Sequence, residues 1–206
     1  MPDYAGWPTF QPLWSILGQP TTITSGDGPA FSNAAYTGLA GLADTTTALT
    51  SGVGTAIPIP VPIGALISKV TVFVGAQAAS TPTHSWACLY AGSGAAPARL
   101  GTQSTDGGTA AIAASGALTF TLGAPVTVTA AVAPYGFIYV SIGVTVNTTM
   151  PSLATVSLAA AVAYQWFTNS PVGMGAVTHG SALGAVAPTT IASPAAQAAT
   201  PIVVLT

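Results

Sequence analysis

His84 and His179 are the only imidazoles in this 206-residue chain, and the only carboxylates that could be set beside them are Asp3, Asp27, Asp44 and Asp106. Those residue types could support acyl transfer, which needs a serine Oγ, an imidazole and a carboxylate in one hydrogen-bonded line. No spacing in the chain favours any such combination over a histidine satisfied within the fold. Glycoside hydrolysis would need two carboxyl groups flanking a glycosidic bond, drawn here from scattered aspartates with no glutamate to help. A lone Cys88 excludes an intrachain disulfide and every multi-cysteine metal motif, and inside an apolar strand it reads as an inert buried thiol. Lys69 and Arg99 are the only side-chain cations besides histidine, each suited to wetting a strand edge or pairing with an aspartate such as Asp106. The chain has no G-x-S-x-G elbow, no Walker A lysine motif, no H-E-x-x-H and no G-x-G-x-x-G. No catalytic, cofactor-binding or metal-binding residue is assigned, and no cofactor is expected.

Asp106 is the last formally charged residue, so everything after it lacks Lys, Arg, Asp and Glu. Only 3% of the chain is charged, where an ordinary soluble domain carries about a quarter. Such a chain is suited to packing and recognition more than to ionic chemistry. Its net charge of −2 gives no clustered basic surface for phosphates, so nucleic acid is not an expected partner. With so few titratable groups, stability is expected to be nearly independent of pH between about 5 and 9. Half of the residues are apolar, largely Ala and Val, diluted by 23 Gly and 17 Pro. The core should therefore be built of small side chains, with aromatic residues as its few large anchors. Residues 124–146 and 151–167 are apolar enough to suggest membrane spans. Pro134 and Gly136 interrupt the first, and neither has flanking Lys or Arg, so no spanning helix is expected. Nor does the opening MPDYAGWPTF have the basic and apolar regions of a secretory signal.

Residues 1–50 read as an irregular N-terminal arm. Trp7, Phe10 and Trp14 lie among Pro2, Pro8, Pro12 and Pro20, which keeps the backbone extended. Those rings either fold back on the parent domain or act as partner-binding anchors on a neighbouring subunit. Residues 34–51 are left unassigned. Residues 51–206 then form a single β domain. In 56–64, AIPIPVPIG, alternation places Ile57, Ile59, Val61 and Ile63 on one face and removes donors at Pro58, Pro60 and Pro62 from one lateral edge. That describes a blocked edge strand or, equally, a short polyproline II segment. Period-two alternation recurs in Val70-Val72-Val74, Leu118-Phe120-Leu122, Val126-Val128 and, longest, in Ile138-Val140-Ile142-Val144-Val146. With further short runs at 86–90, 99–104, 154–158, 162–167 and 201–206, this predicts roughly eight to ten strands and an all-β, jelly-roll-like sandwich. Asp106-Gly107-Gly108 supplies a turn. Residues 168–200 form a long Gly/Ala/Pro/Ser/Thr loop that crosses the sheet surface, and shortening it between 173 and 187 should be tolerated by the fold. The final PIVVLT suits a strand buried on both faces that closes the sheet.

The stretch STPTHSWACLYAGSGAAPARLGTQSTD and the later ALTFTLGAPVTVTAAVAPYGFIYVSIGVTV carry a resemblance over about a third of the chain. Their THSWxxLY strand, LxxQSTD turn and aromatic-rich strand resemble small β-sandwich proteins of tailed phages of actinobacteria, which serve as minor tail or capsid-associated proteins. That resemblance carries no catalytic residues. It implies a virion surface role, head or tail, after assembly in the host cytoplasm; the scarcity of charge adds the expectation of homo-oligomers and of contacts with other capsid or tail proteins, since burying neutral surface desolvates almost no ions.

Three functions follow as expectations. The first is a non-enzymatic virion structural protein that decorates the capsid or joins the tail. The second is a carbohydrate-binding module for host-surface glycans, with Trp86, Tyr139, Tyr164 and Trp166 as rings to stack on sugars. The third, for which the chain has least chemistry, is a tail-associated hydrolase.

Overall fold

The computed structural model describes residues 31–32, 45–79, 81–92, 96–146, 148–157, 176–197 and 199–206. In chain order its strands are β1 (Phe31–Ser32), β2 (Thr45–Ala48), β3 (Val53–Pro60), β4 (Leu66–Phe73), β5 (Pro82–Tyr90), β6 (Arg99–Leu100) and β7 (Ala117–Thr127). They continue with β8 (Phe137–Val146), β9 (Ser152–Ser157), β10 (Val177–His179), β11 (Ala195–Ala196), β12 (Ala199–Pro201) and β13 (Val203–Leu205). There is no helix among the described residues, and hence none long and apolar enough to cross a membrane. A four-stranded sheet runs β1-β13-β4-β7, a six-stranded sheet β11-β10-β3-β8-β5-β6, and a three-stranded sheet β12-β9-β2. The fold is all-β and sandwich-like, as the alternation predicts.

One apolar core lies between the inner faces. The large sheet contributes Ile57, Ile59, Ala87, Leu89 and the even-numbered residues of β8, while the four-stranded sheet contributes Val70, Val72, Phe120, Leu122, Val203 and Leu205. The alternation in the sequence is the cause, since residues two apart on a strand share a face. β8 pairs with β3 on one side and β5 on the other, and both of its faces are buried. Its second face, read from the sequence simply as the opposite one, packs Tyr139, Ser141 and Gly143 under other chain segments.

Several local expectations change. Phe31–Ser32 and Thr45–Ala48, inside the stretch read as an irregular arm, pair with β13 and β9. β3 is internal over its first half, where β10 pairs with Gly54–Ala56, so it is not simply an edge strand. Val61 N–H donates to Gly136 O, which turns the amides of alternate residues Ile57 and Ile59 toward β8 and leaves Pro58 and Pro60 on the β10 side. The ladder with β10 ends just before those prolines, which could not donate to it. Ile63 falls in the β3–β4 turn and is exposed rather than sharing the buried face of Ile57 and Ile59. The two runs 118–122 and 126–128 fall largely in one strand, β7, whose register with β4 jumps between Ile67 and Lys69. The extra residues there include Gly123 and Pro125, which re-phase the strand as a bulge does. Only Arg99–Leu100 of the 99–104 run is a strand. At the C-terminus, β13 pairs β4 and β1 and buries Val203 and Leu205, but Val204 is half-exposed, so the strand is one-faced. The run at 162–167 lies outside the described residues.

Candidate functional site

The outer face of the large sheet is covered by residues 180–191, which follow β10 and lie across β5 and β8 as a strap. Beneath it, Trp86, Cys88 and Tyr90 of β5, Tyr139 of β8, Ala56 of β3 and Val177 of β10 form a second apolar cluster with Ala187 and Ile191 of the strap. Ala, Gly and Pro in the strap have no polar side chains, so the strap is fastened through its backbone, chiefly by carbonyls that accept from side chains of the sheet and of the segment after β6. Trp86 Nε1–H donates to Gly184 O at 2.9 Å, Tyr90 Oη–H to Pro188 O at 2.7 Å, and Thr145 Oγ1–H to Leu183 O at 2.7 Å. Arg99 Nη1 donates to Ala187 O at 2.8 Å, and Gln103 donates to Ala185 O while accepting from Ala187 N–H. Arg99 is thus a clamp on the strap, not the partner of Asp106. These bonds also overturn the expectation that the loop can be shortened freely. Residues 180–191 carry acceptors placed opposite donors fixed in the sheet, and a shift in length would leave buried groups unmatched.

His179 ends β10 with its ring against Gly54, where a Cβ would collide with the imidazole. Its Nε2 shares a 2.7 Å hydrogen bond with Ser141 Oγ, and both residues are buried. This is a Ser–His pair in outline. A nucleophile, however, needs solvent access and a carboxylate on Nδ1 to orient and stabilise the imidazolium, and Nδ1 here is buried with no partner. Burial pushes the His179 pKa down to about 4, so the ring is neutral near pH 7. Cys88, beside it on the same face, is a thiol whose pKa burial raises to about 12. Tyr90 is likewise held well above its ordinary value, chiefly by desolvation.

His84 does meet a carboxylate. Its Nδ1 lies 2.7 Å from Asp106 Oδ2, while Asp106 Oδ1 accepts from Ser85 N–H at 2.9 Å and Gly108 N–H at 3.0 Å. The Asp106-Gly107-Gly108 turn is therefore an Asx-type turn docked on β5, with Gly107 N–H donating to Ser85 O. Partial desolvation pushes the Asp106 carboxyl up, but the hydrogen bonds from His84 and the two amides outweigh it and hold the pKa below the usual value. Thr145, the residue opposite His84 in the β5–β8 register, directs its hydroxyl to the strap. Among the described residues no three of His, Cys, Asp and Glu converge as a metal site would require.

The large apolar side chains left in solvent include a group at one end of the sandwich. Ile63 is 65% exposed, Leu66 59% and Tyr135 62%. Backbone hydrogen bonds knit the turns that carry them: Val61 N–H to Gly136 O, Gly64 N–H to Val128 O and Val128 N–H to Ala65 O. Tyr135 stacks on half-buried Phe137 at 6.4 Å between centroids, and Phe137 meets Tyr139 edge-on at 5.4 Å. The aromatic row thus runs from solvent into the interior under the strap.

Trp86 and Tyr139, expected as glycan-facing rings, are instead buried under the strap. Their alternation with small residues looks the same for a sugar platform and for a second core. Tyr164 and Trp166, and the expected anchors Trp7, Phe10 and Trp14, lie outside the described residues. The apolar end went unrecognised in the sequence, although Tyr135, Phe137 and Tyr139 at strand spacing are a signal for it. No family model and no curated protein matches this chain.

Proposed function

We propose that this chain is a non-enzymatic structural protein of a tailed-phage virion, assembling through neutral, apolar contacts with copies of itself and with capsid or tail proteins. The observation that carries this reading is the exposure of Ile63, Leu66 and Tyr135 at one end of a molecule whose Arg99 and Gln103 are engaged in fastening its own strap. Burying uncharged surface against a neighbour removes apolar area from water and desolvates no ion. The resemblance of the 80–146 region to virion proteins supports the same reading. A glycan-binding role loses two of its four candidate rings to the interior. Mass spectrometry of purified particles produced by the encoding genome tests the proposal. The chain should be present in multiple copies per particle, and its absence from intact particles overturns the proposal.

A further inference from the structure

β7 is an edge strand of the four-stranded sheet, and part of its outer edge is open. We propose that residues 117–121 of β7 are a strand-addition site whose occupant is β7 of a second copy, paired antiparallel about a twofold axis at Thr119. The proposal rests on the reading of the chain as a self-assembling structural protein and names a contact separate from the exposed end.

The hydrogen bonds around β7 fix the direction of its backbone groups. Val74 N–H donates to Gly116 O, while Lys69 exchanges backbone hydrogen bonds with Thr206. Alternation along β4 therefore aims Val70 and Val72 at β7, and their partners Phe120 and Leu118 back at β4. The intervening residues Ala117, Thr119 and Thr121 aim N–H and C=O away from the sheet. Gly123 keeps the same alternation, since its N–H reaches outward to Gln103 O. Ala117, Thr119 and Thr121 are exposed, and among the described residues no backbone hydrogen bond reaches them from the outer side.

This open run has definite ends. Ser115, at a φ of 52°, turns the chain before it, and the Gln103 contact closes the edge after Thr121. Between those ends lie no charge, no proline and no bulge, the devices that keep an exposed edge from recruiting another strand. The other edge strands among the described residues are β1, β2, β6, β11 and β12, and the longest of them, β2, has 4 residues. The strand of this chain that can engage all three outward residues is therefore β7 of another copy.

The pairing is also self-complementary. With Thr119 opposite its own counterpart, Ala117 meets Thr121 of the second copy, and each such pair exchanges both N–H···O bonds. On the outer face the Thr119 and Thr71 hydroxyls already lie 2.9 Å apart, and the row of threonines continues across the axis. On the inner face half-buried Leu118 comes opposite Phe120 of the second copy, which carries the core across the contact. Moving the axis off Thr119 leaves an outward residue of each copy unpaired.

Amide hydrogen exchange of the unmodified full chain reads this edge directly. Raising the concentration until sedimentation velocity shows association should slow exchange at Thr119 and Thr121 by about tenfold or more, while Leu118 and Phe120, bonded within the sheet, stay slow throughout. Thr119→Lys and Thr119→Glu, at an exposed position, should each weaken association about tenfold by setting like charges opposite one another, and an equimolar mixture of the two should restore it. A chain that stays monomeric overturns the proposal. So does association in which Thr119 and Thr121 still exchange freely, or which neither charge weakens. Weakening by both charges with no recovery in the mixture overturns β7 of a second copy as the occupant. These readouts need only purified protein, so a chain present in particles with β7 unpaired would keep the virion reading and lose this contact.

Discussion

At the scale of single residues, the outer face of the large sheet depends on small residues that admit large ones. Gly143 faces Trp86 across the β5–β8 ladder, and a Cβ at that position would run into the indole. Gly143→Ala should therefore force the ring off the sheet and weaken its bond to Gly184 O. We expect a loss of about 1–3 kcal/mol, the usual range for overpacking a tight core, read from chemical denaturation followed by tryptophan fluorescence. His179 is the other sensitive position. Its pKa lies at about 4 in the fold, against 6.5 when unperturbed, so below pH 6.5 the unfolded chain takes up a proton that the folded chain refuses. Stability should be full above pH 6.5, fall as pH drops from there to about 4, and lose about 3 kcal/mol over that window. Arg99 is the cation that acts on Cys88 and Tyr90 on this face, and burial alone accounts for the lowered pKa of His179. Asp106 acts with the opposite arrangement of charge, losing its contribution only below the usual carboxylate range. Composition alone predicts a flat profile from pH 5 to 9, and the buried ring bends it at the acidic end. Urea midpoints at pH 7 and pH 4.5 check this: His179→Gln should abolish the difference, and equal midpoints in the native protein would show that the ring is not refusing its proton.

At the scale of elements, the strap behaves as a separable layer whose attachment lies in side chains distant in sequence. Arg99→Ala removes the donor for Ala187 O, and Gln103→Ala strips Ala185 O and Ala187 N–H of partners at once. Each should cost about 1–3 kcal/mol through the backbone groups left unpaired. Hydrogen exchange should rise in 183–191 while β8 and β5 keep their protection, since opening the strap need not break the ladder beneath it. Rapid exchange spread evenly over the sheet would mean that strap and sheet open as one unit. These attachments mark where the sequence stops being legible. Strands such as β8 can be read because alternation is local and repeats at every second residue. The strap cannot, because its acceptors are backbone carbonyls, which every residue possesses, and its donors lie between 38 and 98 positions away. The same limit hides the His84–Asp106 pair, whose two members sit among several equally plausible partners until β5 and the following turn are folded together. Trp86 and Tyr139 were legible as large rings on one face, but which face is covered depends on a segment that carries no period of its own.

At the scale of the whole molecule, a net charge of −2 with 3% charged residues leaves little electrostatic repulsion to keep copies apart. It also leaves little electrostatic attraction to bring them together. Any self-association must then be driven by apolar burial, and its response to salt differs from that of an ionic contact. Screening within a Debye length of about 8 Å at 0.15 M weakens interfaces built on opposite charges. Apolar burial is insensitive to sodium chloride in that range and is strengthened by excluded salts such as sulfate. Sedimentation velocity of the full chain should accordingly give the same association constant, within about twofold, at 20 mM and 500 mM sodium chloride, and tighter association in sodium sulfate. Ile63→Ser with Tyr135→Ser should weaken association under all three conditions, because both residues are exposed at the same end and their replacement leaves the core untouched. An association that falls tenfold or more with sodium chloride would place the few charges, Lys69 and Asp106 first among the described residues, at the interface instead. In that case the apolar end would have to be assigned to a different partner.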